Sequence, residues 1–201
     1  MDFLRLLAAG RCGALDTFFS GLTYFGSEIA FMAAALLIFW CVDKRQGYYV
    51  FLVGALGTVC NQFLKLAFRI PRPWVLDPDF QIVEAARADA TGYSFPSGHT
   101  QNIVGTTASI FASRKEAWVR IVCVVLMLLV PFSRMYLGVH TPLDVGVAFL
   151  TALALAAALY PAFRTEFAAK KTVPWLLLGV AVLCGRYLIY ASSLARCDWP
   201  E

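Results

Sequence analysis

The chain has 201 residues, of which 60% are hydrophobic and only 15% are charged. Soluble domains usually carry about 25% charged residues, so this composition predicts a polytopic membrane protein. The net charge is only +4, and the sequence has no lysine-rich tract and no mixed pattern of basic and aromatic residues, so we expect no nucleic-acid partner.

The N-terminal segment, residues 1–25, mixes Asp and Arg with Phe and Leu. This mixture predicts a segment at the membrane interface rather than a membrane span. Its apolar run is short and follows Asp2, which does not fit a signal peptide.

Six apolar stretches follow the N-terminal segment. A membrane-spanning helix needs about 20 mostly apolar residues. Several of the stretches contain Gly, Ser, Thr, Asn or Gln, which allow helices to pack closely inside a bundle. No repeat and no second domain separates them, so we expect one integral-membrane domain over residues 1–201. The predicted spans are 26–42, 47–66, 98–113, 117–133, 143–163 and 173–191.

Positive charge is concentrated in three of the turns between the predicted spans, 43–46, 114–120 and 164–171. The loop 74–96 is acidic instead, with Arg87 as its one basic residue. Loops rich in Lys and Arg face the cytoplasm, so we expect the three turns inside and the acidic loop outside. The basic residues of the turns are Lys44, Arg45, Arg114, Lys115, Arg120, Arg164, Lys170 and Lys171.

Three polar stretches that are far apart in the sequence are predicted at this outer face: 65–73, 96–99 and 133–144. The C-terminal tail, 194–201, is expected to emerge on the same side. Because the three stretches share one membrane depth, they are expected to form a single site.

The first stretch, KLAFRIPRP at 65–73, ends an apolar helix with three basic residues. Lys65 and Arg69 are one helical turn apart and are therefore expected to share a face. Pro71 ends the helix, and Arg72 projects from the break. A basic cluster that snorkels to the membrane surface is the alternative, but these residues lie on the face where positive charge is otherwise scarce.

The second stretch lies within YSFPSGHTQN at 93–102. Ser97 is a good N-cap for the helix that follows. Gly98 and His99 then contribute free backbone N–H groups to the first turn, where anions bind readily. The alternative is a simple helix cap with an incidental histidine.

The third stretch, SRMYLGVHTPLD at 133–144, places Arg134 at the end of the fourth span. His140 and Asp144 are four residues apart and bracket the start of the fifth span. A carboxylate next to an imidazole fixes the tautomer of the ring and raises its basicity. A purely structural pairing of the two residues is the alternative.

The combination of the three stretches indicates a chemistry that none of them indicates alone. Several cations and a helix N-terminus converge on one face, which favours a tetrahedral oxyanion, most naturally phosphate. The sequence has only two histidines, and their different surroundings suit a nucleophile and a general acid. No cluster of Asp, Glu and His resembles a metal site, so we expect neither a metal nor another cofactor.

The three stretches resemble the tripartite signature of the type 2 phosphatidic acid phosphatase superfamily, which also includes vanadium haloperoxidases and bacterial nonspecific acid phosphatases. The motifs fall within residues 65–144. The resemblance implies an all-α protein, a membrane bundle of about six transmembrane helices related to the helical core of those enzymes. Every signature position is filled in order: Lys65, Arg72 and Pro73; Pro96, Ser97, Gly98 and His99; Ser133, Arg134, His140 and Asp144.

The resemblance also implies a role for each residue. His140 resembles the nucleophile that forms a phosphohistidine, and Asp144 resembles the residue that orients it. His99 would protonate the leaving oxygen and then activate water. Arg69 lies outside the signature and is a candidate contact for a second phosphate or a headgroup, with a plain surface role as the alternative. The implied phosphate-binding residues are Lys65, Arg72, Ser97, Gly98 and Arg134.

The implied function is that of an integral-membrane phosphatase acting on lipid phosphates. The motifs leave the substrate open among undecaprenyl pyrophosphate, phosphatidate and phosphatidylglycerophosphate. The expected location is the bacterial plasma membrane, with the site facing the extracytoplasmic side. The alternatives are a phosphotransferase with the same site, a vanadium haloperoxidase, whose relatives are soluble, and a membrane transporter, which would carry polar residues within its spans.

Overall fold

The computed structural model describes residues 1–194, apart from the side chains of Phe167 and Leu194. Within this range the regular elements are helical and no strand occurs, so the predicted all-α class is confirmed. The tail expected at the outer face lies, except for Leu194, outside the described residues. The helices are α1 (Asp2–Ala9), α2 (Gly13–Thr23), α3 (Glu28–Cys41), α4 (Lys44–Phe68), α5 (Pro73–Leu76), α6 (Gly98–Ser113), α7 (Ala117–Tyr136), α8 (Pro142–Phe163) and α9 (Glu166–Leu194).

Four helical segments are long and apolar enough to cross a membrane: Lys44–Leu76, Ala117–Tyr136, Pro142–Phe163 and Ala168–Ser193. A fifth crossing is present if the segments Gly13–Gly26 and Glu28–Cys41, bent by 52° at their junction, form one broken span. Within the described part of the chain, the predicted count of about six spans is therefore approximate.

Helix α6 accounts for part of this difference and lies at the centre of the bundle. It covers the predicted residues, but its 16 residues are fewer than the about 20 that a span requires. It packs against α4, α7 and α8, and much of its surface is buried and polar. The hydroxyls of Thr107 and Ser109 donate to carbonyls of their own helix, which satisfies them away from water.

Helices α3 and α4 form a tight antiparallel pair around a glycine. A Cβ atom at Gly47 would lie 2.5 Å from Cα of Phe39 and would clash with it, so this position requires glycine. Asp43 caps the start of α4 by accepting a hydrogen bond from the backbone N–H of Gln46. The pair therefore turns within a few residues and places Lys65 at the far end of α4.

The C-terminal ends of α4 and α7 meet the N-terminal ends of α6 and α8 at one end of the bundle. Ser97 caps α6, as predicted, by accepting from the backbone N–H of Thr100. Thr141 and Asp144 form a capping box at the start of α8. The backbone N–H of Ser97 donates to the carbonyl of Asp144 at 3.1 Å, which ties the two helix starts together.

The three basic turns lie together at the opposite end, as the charge pattern predicted. Residues from all three line one pocket. Nη1 of Arg45 donates to the backbone carbonyl of Arg164 at 3.1 Å, which joins the first turn to the third.

Candidate active site

The three polar stretches converge on one cavity of about 450 Å³. The cavity is lined by Lys65 from α4, by Arg72 from the break before α5, and by Gly98 and His99 from the first turn of α6. His140, from the connection between α7 and α8, completes this set. The predicted convergence of distant motifs is therefore observed at the end of the bundle away from the basic turns.

Arg72 is held more firmly than any other cation in the cavity. Its side chain is only 5% exposed. Its guanidinium donates to the backbone carbonyls of Thr91 (2.7 Å), Gly92 (3.0 Å) and Val139 (3.0 Å). Nη1 also lies 3.0 Å from Nε2 of His140. The break after α4, the loop that follows α5 and the end of α7 thus fix this charge beside the imidazole.

His140 presents different atoms to its two neighbours. Nε2 faces Arg72, and Nδ1 lies 3.6 Å from Oδ2 of Asp144, slightly beyond hydrogen-bonding distance. That carboxylate oxygen accepts from the hydroxyl of Ser94 at 2.6 Å and from the backbone N–H of Thr141 at 2.8 Å. Asp144 is therefore held in place next to Nδ1, and the opposite nitrogen of the ring is directed to the cations.

The surroundings of His140 favour its neutral form. The side chain is 2% exposed, and burial lowers its pKa well below the ordinary value. The positive charges of Arg72, Arg134 and Lys65 lower the pKa further, in that order. A neutral imidazole has an unshared electron pair, so the ring is in the state that a nucleophile requires.

Arg134 is fully buried and only partly satisfied. Its Nη1 donates to the hydroxyl of Thr23 at 2.8 Å. Its Nε and Nη2 have no hydrogen-bond partner within residues 1–194. Leaving a buried charge without partners is costly, so an anion that accepts from these groups would be strongly favoured.

Lys65 and His99 complete the polar lining. Nζ of Lys65 donates to the backbone carbonyl of Tyr93 at 3.0 Å, which leaves further N–H bonds of the ammonium group for a bound anion. Nε2 of His99 is buried and has no partner in the described part of the chain. Burial and the charges of Arg134, Arg72 and Lys65 lower the pKa of His99 to about 3, so we expect the ring to take up a proton only when a bound anion offsets those charges.

Arg69 lies elsewhere. The prediction that it shares a helical face with Lys65 is wrong, because α4 ends at Phe68 and Arg69 adopts a left-handed conformation with φ of 49°. Its side chain is exposed, its Nε donates to the carbonyl of Leu66, and it does not line the cavity. Its role as a second-phosphate contact stays a prediction without support from this geometry.

Several side chains at the site were not identified from the sequence, among them Ser94, Thr23, Glu28 and Asp89. Ser94 and Thr23 hold Asp144 and Arg134, respectively, and Glu28 and Asp89 line the cavity. Ser94 lies three residues before Ser97, so the second stretch contained a signal that could have identified it. Thr23 lies in the N-terminal segment, far from every motif, and no sequence pattern indicated it.

No group of three or more His, Cys, Asp or Glu side chains within residues 1–194 could hold a metal ion. The charges that would meet a phosphate are instead those of Lys65, Arg72 and Arg134. Three fixed cations around one imidazole match the distributed negative charge of a phosphoryl group during its transfer.

A protein-family sequence model, that of the PAP2 superfamily, matches residues 46–168 of the chain. This range includes all three polar stretches. The chain belongs to the PAP2 superfamily. Over 136 residues it is 33% identical to undecaprenyl-diphosphatase BcrC of Bacillus subtilis (strain 168), covering 64% of this chain and 67% of the relative. The predicted family and the general class, a membrane lipid phosphatase, are thus confirmed.

Two solved structures share the fold. LpxE of Aquifex aeolicus superposes with a TM-score of 0.70 at 25% identity, covering 80% of this chain and 93% of that one. The first transmembrane PAP2 type phosphatidylglycerolphosphate phosphatase from Bacillus subtilis superposes with a TM-score of 0.66 at 23% identity, covering 83% and 86%. Together with the apolar helices, this likeness supports an integral membrane protein.

Proposed function

We propose that this chain hydrolyses lipid phosphates through a phosphohistidine on His140, without a metal ion. The observation that carries the proposal is the group of three cations, Lys65, Arg72 and Arg134, around the ring of His140. Two donors of this group, Nε and Nη2 of Arg134, lack partners within residues 1–194. A phosphoryl group would satisfy these donors and place its phosphorus next to Nε2 of His140.

The first chemical step is attack by Nε2 of His140 on phosphorus. A P–N bond forms, and the bond between phosphorus and the leaving oxygen breaks. The electron pair of that bond stays on the leaving oxygen, which takes a proton from His99. Asp144 stabilises the positive charge that develops on the His140 ring, and Arg72 and Arg134 stabilise the phosphoryl oxygens.

The second step regenerates the enzyme. His99, now neutral, accepts a proton from a water molecule as the water oxygen attacks phosphorus. The P–N bond breaks, its electron pair returns to Nε2 of His140, and inorganic phosphate leaves. If an alcohol replaced the water, the same step would transfer the phosphoryl group, which is the phosphotransferase alternative.

An isoprenoid diphosphate such as undecaprenyl pyrophosphate is the substrate that we propose first, because the relative BcrC is named for that activity. The cavity lining supports a lipid substrate. Ile29 and Tyr24 line the cavity and are 83% and 59% exposed, so an apolar surface continues from the cations to the outside of the bundle. The lipid tail can therefore stay in the bilayer while the phosphate enters.

The site is proposed to face the extracytoplasmic side of a bacterial plasma membrane. The support is the separation between the cavity and the basic turns, which occupy opposite ends of the bundle. Under the positive-inside rule, the basic end is cytoplasmic.

The test is phosphate release in detergent from undecaprenyl pyrophosphate, phosphatidate and phosphatidylglycerophosphate, followed by trapping of the phosphoenzyme with radiolabelled substrate. The label should be stable in alkali, labile in acid, and located on the peptide that contains His140. The chain has only two histidines, so peptide mapping separates His140 from His99 without ambiguity. A label on His99, or full activity of His140→Ala, would refute the mechanism.

A further inference from the structure

A second polar pocket lies at the end of the bundle opposite the active site. It has a volume of about 500 Å³ and is formed by the turns α3–α4, α6–α7 and α8–α9. We call it the basic pocket, because among the described residues its lining contains one acid, Asp43, and five cations: Arg45, Arg114, Lys115, Arg120 and Arg164.

The cations of the basic pocket are poorly neutralised by the protein. The contacts with acids are loose, 4.0 Å between Arg45 and Asp43 and 3.5 Å between Arg114 and Glu116. Lys115 and Arg164 make no ion pair within the described part of the chain. Like charges so close together repel one another, and a bound anion would relieve that repulsion.

Two of the cations are nevertheless fixed in place. Nε of Arg120 donates to the backbone carbonyl of Arg114 at 2.8 Å, and its guanidinium lies 4.9 Å from the ring centre of Phe111. Nη1 of Arg45 donates to the carbonyl of Arg164. The positive charge is thus partly preorganised, which lowers the cost of binding an anion.

An apolar groove of about 460 Å³ continues from the basic pocket along the bundle. The two share Tyr49, Ala112 and Tyr160 in their linings. The groove exists because α7 and α8 each pack on α6 but make little contact with each other. Alanines at 108, 156 and 157 keep it open, and the hydroxyl of Tyr49 is fixed at the junction by donation to the carbonyl of Ala156 at 2.6 Å.

From this arrangement we infer that the chain binds an anionic phospholipid at the end opposite its active site, with the phosphate in the basic pocket and an acyl chain in the groove. Charge complementarity selects an anionic headgroup. The adjoining apolar groove is lined by α7 and α8, two helices that are long and apolar enough to cross a membrane, and it therefore favours a lipid over a soluble anion. This site goes beyond the proposed function, because within residues 1–194 it shares no lining residue with the catalytic cavity.

The test of the headgroup site is native mass spectrometry of the whole chain in detergent, titrated with phosphatidylglycerol or phosphatidylcholine. We expect one phosphatidylglycerol to be retained in preference to phosphatidylcholine. The double variant Lys115→Gln/Arg164→Gln should weaken this binding about 30-fold, since each of the two cations near a lipid headgroup contributes about 1 kcal/mol. The matched control Lys44→Gln/Lys171→Gln removes the same charge from exposed positions at the same end that do not line the pocket, and it should bind as the wild type does.

The test of the groove uses two neighbouring exposed alanines of α8. Ala157→Phe fills the groove and should weaken phosphatidylglycerol binding, whereas Ala158→Phe adds the same side chain outside the groove and should not. Phosphate release by each variant shows that it is folded, and we expect it to be retained in all four. Because binding and hydrolysis are measured separately, failure of this inference is distinguishable from failure of the proposed phosphatase activity.

Three outcomes would overturn the inference. Equal retention of the two lipids would exclude headgroup selection, and equal weakening by the two double variants would indicate only the general field of a basic surface. Binding of glycerophosphoglycerol, which has no acyl chains, as tightly as phosphatidylglycerol would make the site one for soluble anions.

Discussion

Ser94 donates a 2.6 Å hydrogen bond to Oδ2 of Asp144, the same oxygen that lies 3.6 Å from Nδ1 of His140. Both Ser94 and Asp144 are buried, so water does not compete for this contact. The serine therefore controls where the carboxylate sits, and the carboxylate in turn faces the proposed nucleophile. Ser94 acts on the reaction as a positioning residue, through Asp144.

Replacement of Ser94 by Ala should lower kcat about tenfold and change KM little, because hydrogen bonds to a charged group contribute about 1.5–3 kcal/mol and only part of that affects the transition state. The measurement is steady-state phosphate release. Ser109→Ala is the matched control, since Ser109 is an equally buried serine that bonds to the carbonyl of Gly105 in α6. A similar loss in the control would point to helix packing rather than to the positioning of Asp144.

Arg72 and Arg69 offer a paired test of which arginine binds the phosphate. Arg72→Lys should lower kcat/KM about 100- to 1000-fold, because an ammonium cannot replace three carbonyl contacts and a planar guanidinium at the same time. Arg69→Lys makes the same chemical change at an exposed position outside the cavity and should stay within about twofold of the wild type. Comparable losses of kcat/KM at the two positions would contradict the assignment of phosphate binding to Arg72.

His99→Ala should harm substrates unequally. A lipid monoester has an alkoxide leaving group that needs a proton, whereas an aryl phosphate or a diphosphate has a better leaving group and needs less acid catalysis. The ratio of the rate losses on the two substrate types is the quantity to measure. A ratio near one would count against His99 as the general acid.

Activity should persist in EDTA and be inhibited by vanadate. The described residues contain no group that could hold a metal, and vanadate mimics the five-coordinate transition state that the cations would surround. The measurement is phosphate release with each additive. Loss of activity in EDTA that magnesium restores would require a different assignment of the site.

The orientation in the membrane can be tested with single cysteines at positions 79 and 115, in a background without native cysteines. Asp79 lies in the acidic loop near the active-site end, and Lys115 lines the basic pocket at the other end. An impermeant maleimide applied to intact cells should label position 79 and spare position 115. The reverse pattern would place the site on the cytoplasmic side and weaken the undecaprenyl pyrophosphate assignment.

The helical class and the convergence of the three polar stretches could be predicted because both depend on local signals. Long apolar stretches indicate spans, and Ser97 in front of a glycine and a histidine indicates a helix cap. The side chains that hold Arg134 and Asp144 were harder to identify. Thr23 contacts Arg134 although the two residues are 111 positions apart in the sequence, and no periodic pattern of residues indicates such a contact.

The end of α4 shows where helical periodicity misleads. Spacing alone places Arg69 on the face of Lys65, but that inference holds only while the helix continues. The chain leaves the helical conformation at Arg69, two residues before Pro71, because the residue that precedes a proline is disfavoured in a helix. One left-handed residue then turns the Arg69 side chain outward and allows Arg72 to enter the cavity.

The backbone carbonyls of Thr91 and Gly92 accept from Arg72, and that of Tyr93 accepts from Lys65, so the loop after α5 holds these two cations through its backbone. Exposed side chains along this loop can therefore change while the charges that meet the phosphate stay where they are, whereas Phe80, Ile82 and Ala86 are buried in the core. An engineer could therefore replace the exposed side chains of this loop and leave both cations in position, provided that the backbone of residues 91–93 keeps its path.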